Sequence, residues 1–110
     1  MTSPVLAIIE AQNAPTAQTT LYTSALVTTR IDKLSATNTT NATIILSINL
    51  VPSGQSAGTT NLTTNAQAIL AGQTWNSPNE YGQCLNPGDF LSAIASATGL
   101  TIMASGTVLT

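Results

Sequence analysis

The sequence predicts an all-β protein: a single β-sandwich or small jelly roll of seven to eight short antiparallel strands, with an N-terminal arm. Three observations carry that expectation. Apolar and polar residues alternate with a period of two, most plainly over residues 43–51, where Ile44, Leu46, Ile48 and Leu50 share one face. Turn signals built from Gly, Pro, Asn and Asp separate such segments at spacings of roughly 8–12 residues. Residues that favour exposed helices are nearly missing, for only Glu10, Arg30, Asp32, Lys33, Glu80 and Asp89 are charged among 110 residues.

The first element is the apolar run Val5, Leu6, Ala7, Ile8, Ile9, followed by a small polar stretch containing Pro15. Residues 1–16 therefore read as an arm able to add a strand to a neighbouring subunit, or as the domain's own first strand. Residues 17–110 form the sandwich. Residues 18–23, rich in Thr and carrying Tyr22, are a strand candidate. Residues 25–38 are a longer β-prone run holding three charges; there Arg30 and Asp32 share a face and Lys33 takes the other. Asn38, Thr39, Thr40 and Asn41 signal a turn before the strand at 43–51, and Pro52, Ser53 and Gly54 end that strand.

Residues 61–70 alternate again, with Leu62, Thr64, Ala66 and Ala68 opposite Thr63, Asn65, Gln67 and Ile69. Ala71-Gly72 suits a tight hairpin into Thr74 and Trp75. Residues 76–83 read as a loop with Pro78 and Tyr81. Asn86-Pro87-Gly88-Asp89 fits a turn with Pro second and Gly third. Residues 90–97 and 100–105 then read as a hairpin about Ala97, Thr98 and Gly99, and Val108 and Leu109 close the chain.

Composition narrows function. Charged residues are 5% of the chain, against about 25% in an average soluble domain. Thr alone supplies 20 residues, and Thr, Ser, Asn and Gln together supply 45. Two cationic side chains and a net charge of −2 disfavour nucleic-acid binding. No apolar run has the roughly 20 residues of a membrane helix. With no histidine and one cysteine, Cys84, neither a zinc site nor a Cys–His nucleophile is expected. No phosphate-binding or nucleophile-elbow motif occurs, and the four carboxylates lie in unrelated segments. No enzyme activity and no cofactor are expected. Near-zero charge promotes association, so the chain reads as an assembly component and homo-oligomer.

Several pieces carry a resemblance. They are Leu21-Tyr22-Thr23, the strand ending Asn38-Thr39-Thr40, residues 50–54 (Leu-Val-Pro-Ser-Gly) and 71–74 (Ala-Gly-Gln-Thr). Residues 85–89 (Leu-Asn-Pro-Gly-Asp), 92–96 (Ser-Ala-Ile-Ala-Ser) and Ser105-Gly106 continue it. Over about residues 17–106 the chain resembles small β-sandwich structural proteins of tailed-bacteriophage virions, of the capsid decoration (cement), fibre, neck or tail kinds. That resemblance implies a virion location, assembly in the bacterial host cytoplasm, partners such as the major capsid protein, and a possible trimer. The expected contact residues are Val5, Leu6, Ile8, Ile9, Trp75 and Tyr81. The aromatics Trp75, Tyr81 and Tyr22 also fit a carbohydrate-binding module, stacking on sugar rings.

Overall fold

The computed structural model describes residues 4–109, and it is all-β. Nine strands occur among the described residues: β1 (Val5–Asn13), β2 (Thr19–Thr23), β3 (Thr28–Asn38), β4 (Ile44–Val51), β5 (Leu62–Ile69), β6 (Thr74–Asn76), β7 (Cys84–Leu85), β8 (Phe90–Ala95) and β9 (Leu100–Leu109). Sheet one runs β1-β9-β3-β6, with β7 also paired to β3; sheet two runs β2-β8-β4-β5. Every pairing is antiparallel.

The pairings nest. β4 pairs β5, β3 pairs β6, β2 pairs β8 and β1 pairs β9. The chain is thus one long folded ribbon with its bend between β4 and β5. Rolling that ribbon brings β9 against β3 and β8 against β4, which closes the two sheets into a jelly roll. The two layers enclose Ile9, Ile31, Leu34, Ile44, Leu46, Ile48, Ile69, Leu91, Leu100 and Ile102, all essentially inaccessible to water. A short 3-10 turn (Thr59–Asn61) lies between β4 and β5, where Asn61 Oδ1 accepts from Asn49 Nδ2 at 2.7 Å and from Gly58 N at 3.0 Å.

The structure corrects several expectations. Nine strands replace seven to eight, because residues 74–76 and 84–85 pair with β3 as short strands. The two expected hairpins are crossings instead. Gly72 does turn the chain, yet β5 and β6 lie in different sheets, as do β8 and β9. Local turn chemistry reports a reversal; it does not report which sheet the next strand joins. The Val108–Leu109 tail belongs to β9.

Residues 5–13 pair with β9, so the segment is the domain's first strand rather than an arm. Residues 1–3 of the 1–16 segment lie outside the described residues. Ala14 N donates to Leu100 O at 2.7 Å and Ala95 N to Pro15 O at 2.8 Å, so the expected linker is itself pinned to both sheets. A register shift between Ala7 and Ile9 lets the consecutive residues Ile8 and Ile9 both face the core. Gly106 permits the close fit there: a Cβ on it would lie 2.6 Å from Arg30 O and 3.2 Å from Ile8 Cγ2.

Bulges also break alternation elsewhere. In β4, Ile44, Leu46 and Ile48 face inward as expected; its pairing with β8 is unbroken, and the register shifts against β5 come from extra residues in β5. Leu50, half-buried, continues that face and packs against the core, while Val51 is fully buried outside the core cluster. In β5, Ala66 adopts φ 56°, and Thr64 and Ile69 both point inward although five positions apart. Leu46→Ala should therefore cost about 2–5 kcal/mol in chemical denaturation, through lost transfer energy and a residual cavity. Leu50→Ala, at a half-buried position on the same face, should cost less than Leu46→Ala. A loss near zero would show that Leu50 does not pack against the core.

Candidate functional site

The chemistry of this chain gathers on the outer side of sheet one. β3 carries Arg30, Asp32 and Lys33, and its pairing with β9 shifts between Ile31 and Lys33. Ile31 and Leu34 point into the core, so Arg30, Asp32 and Lys33 are all turned outward. The expected placement of Lys33 on the opposite face is thus overturned by the bulge.

Arg30 and Asp32 are locked together. Arg30 Nε donates to Asp32 Oδ1 at 2.8 Å and Arg30 Nη2 to Thr107 Oγ1 at 3.2 Å, while Thr107 Oγ1 donates to Asp32 Oδ2 at 2.6 Å. The Thr107 hydroxyl first, and then the guanidinium, hold the Asp32 carboxyl below its ordinary 3.8. The Asp32 hydrogen bond in turn raises Arg30, with smaller contributions from Cys84 and Tyr81. Cys84 is exposed and sits across from Arg30 in the β3–β7 pairing.

Residues 77–83 form the neighbouring wall. Ser77 N donates to Leu34 O at 2.9 Å, Gly82 N to Ile31 O at 2.7 Å, and Ile31 N to Gln83 O at 2.8 Å. From the other side, the Glu80 side chain enters the interior and is 0% exposed. Thr64 Oγ1 of β5 lies 3.0 and 2.9 Å from its two carboxyl oxygens, and the Ser77 hydroxyl donates to Oε1. Glu80 N returns a bond to Ser77 Oγ at 3.1 Å. Glu80 therefore joins a loop on sheet one to a strand of sheet two. Its neighbour Tyr81 is displayed outward at 70% exposure, beside Arg30. Together Arg30, Ile31, Asp32, Tyr81 and Gly82 line a cleft of about 300 Å³.

The expected contact residues separate. Val5 and Leu6 are exposed near the start of edge strand β1, whereas Ile8 and Ile9 are core. Trp75 is half-buried on β6 and packs against the core. Tyr22 is half-buried, its hydroxyl 2.9 Å from Thr29 Oγ1, which leaves Tyr81 the most open of the three aromatics named. Sequence reasoning missed Leu26, 93% exposed at φ 65° between β2 and β3. It also missed the buried role of Glu80, for which an acidic residue in a charge-poor stretch was the available signal. Among the described residues, no group of three His, Cys, Asp or Glu side chains is placed to hold a metal ion.

Sheet two contrasts with sheet one. β2, β4, β5 and β8 contain no charged residue, and their open positions are Thr, Ser, Asn, Gln, Ala and partly covered Ile, Leu and Phe.

Two outcomes follow from this geometry. Glu80→Ala would leave the Thr64 and Ser77 hydroxyls buried without their acceptor, and should destabilise the fold by at least about 2 kcal/mol; a loss near zero in thermal melting would show that the clasp carries no stability. For Asp32 the native value is the lowered one, so the ionised form favours the fold. Its contribution is complete above the ordinary carboxylate range and is lost as pH falls through the lowered native value. Asp32→Asn should thus be less stable than the parent at neutral pH and lose less stability on acidification below pH 3.8. Parallel acid-denaturation curves for the two proteins would remove Asp32 from the linkage.

No protein-family model matches the sequence, and no curated protein aligns with it. Among solved structures, a chain in the structure of the infectious bursal disease virus Gx strain is similar, with 14% identity and a TM-score of 0.49. The match covers 97% of this chain and 31% of that one, so this chain spans about a third of the length of its structural neighbour.

Proposed function

We propose that this protein is a structural component of a virus particle: a decoration protein that seats on a tailed-phage head and bridges neighbouring shell subunits. The observation that carries the reading is the uncharged outer face of sheet two. Buried interface centres are depleted of charge, and a face of Thr, Ser, Asn and Ala is covered at little desolvation cost. The jelly roll supports it, since that architecture serves viral shells among other uses. The resemblance of the strand and turn motifs over residues 17–106 points the same way.

The physical logic is that of binding to an assembled state. A domain that contacts two shell subunits adds free energy only when both are in place. Many symmetric copies multiply a modest contact, and self-association as a trimer would multiply it further.

Leu26 adds a contact point. It holds a left-handed conformation that costs an L-residue about 1–2 kcal/mol. An exposed leucine retained at that expense is accounted for if a partner covers it. Leu26→Gly should stabilise the isolated protein by about 0.5–1 kcal/mol, the strain relieved less the backbone entropy of glycine, while reducing its retention on particles. Quantitative mass spectrometry of purified particles is the direct test. The expected result is a copy number comparable to that of the major shell subunit. A handful of copies per particle would place the protein in the neck or tail, and its absence would end the virion reading.

A further inference from the structure

We propose that the cleft between β3 and the 77–83 turn is a binding site for a neutral saccharide, with Tyr81 as its stacking platform. This does not rest on the virion reading; it would hold for the domain in any assembly.

The site has the two surfaces a sugar requires. A pyranose ring presents an apolar face of C–H groups and a rim of hydroxyls, each both donor and acceptor. The Tyr81 ring, 70% exposed, offers a flat amphipathic surface for the first. The Arg30–Asp32 pair serves the rim. Of the five N–H groups of a guanidinium, the internal network uses one at Nε and one at Nη2, leaving three to donate. Each Asp32 oxygen accepts one bond within the network and has a further lone pair for a hydroxyl.

The charges of Arg30 and Asp32 cancel locally, which suits a neutral ligand better than an anion. Their fixed separation gives a donor and an acceptor side by side, matching adjacent hydroxyls on a ring. The volume of about 300 Å³ is at the lower end of small-molecule sites and accommodates one or two sugar units.

The wall is preorganised. Backbone bonds to Ile31 and Leu34 hold the 77–83 turn from β3, and the buried Glu80 carboxyl holds it from β5. Arg30 is anchored through Thr107 of β9. Little ordering is left for the ligand to impose, and that is where weak sugar contacts are otherwise lost. Trp75 and Tyr22 cannot serve in the same way, since both are packed against the core.

The test uses the full chain on an immobilised array of neutral hexose and N-acetylhexosamine oligosaccharides, followed by calorimetric titration of the strongest hit. Binding is expected, with Kd no weaker than about 10 mM. Tyr81→Ala should weaken it tenfold or more, Tyr81→Phe should retain it, and Arg30→Gln should weaken it without loss of the fold by circular dichroism. Absence of binding by the parent chain overturns the proposal. So does binding that survives Tyr81→Ala, which would put the site elsewhere, or binding confined to sialylated or uronic-acid glycans, which would make the cleft an anion site. Incorporation of the Tyr81→Ala protein into particles separates this result from the virion reading, because stacking on Tyr81 is not required for seating sheet two.

Discussion

Glu80 is the one carboxyl that this protein takes fully into its interior, and among the described residues no cation pairs with it there. Burying such a group is costly unless hydrogen bonds replace water. Here hydroxyls do so: Thr64 from sheet two and Ser77 from the turn itself. Thr64 can reach inward because the Ala66 irregularity lets both Thr64 and Ile69 face the core. A backbone feature of sheet two thus supplies the partner for a side chain delivered from sheet one. Once Glu80 is held, Ser77, Gly82 and Gln83 meet the β3 backbone, and the wall of the cleft is set.

The scarcity of charge bears on how the sheets end. Sandwiches commonly guard exposed edges with lysines, and this chain has one lysine, placed in the central strand β3. Edge control falls to backbone geometry instead. β6 has three residues and β7 two, too short to template another chain. β1, β2 and β5 are each interrupted by register shifts. These devices discourage strand addition along the edges while leaving the broad faces available. Association through the flat uncharged face of sheet two is then compatible with the sequence in a way that edge-to-edge growth is not.

Much of this was legible in the sequence, and the illegible part has a consistent cause. Period two at Ile44, Leu46 and Ile48 gave the core face, and the turn residues gave the strand boundaries within a few positions. Periodicity failed wherever a bulge intervened: at Ile8–Ile9, at Lys33 and at Ala66. An inserted residue flips every later side chain, and nothing in the local composition marks the insertion. Topology failed for a related reason. Gly72 and Gly99 both support tight turns, yet each turn carries the chain to the opposite sheet, a choice made by the rolled ribbon as a whole. Of the cleft, Tyr81 and the Arg30–Asp32 pair were visible as residues. Their meeting depends on the burial of Glu80, which no motif announced.

The two faces therefore differ in charge within one fold. Sheet one holds the exposed charges of the strands, including Arg30, Asp32, Lys33 and Glu10, and keeps an aromatic side chain in water beside them. Sheet two holds none. Under the proposed function the covered face would gain by lacking charge, since each desolvated ion would subtract from adhesion, and the face left in solvent would be free for polar recognition. A jelly roll separates these requirements at low structural cost. Its core is shared, and alternation along each strand lets outward residues change without disturbing inward ones. The bulge at Ile31–Lys33 carries that separation furthest, because it places three charges outward from a single strand while Ile31 and Leu34 remain buried.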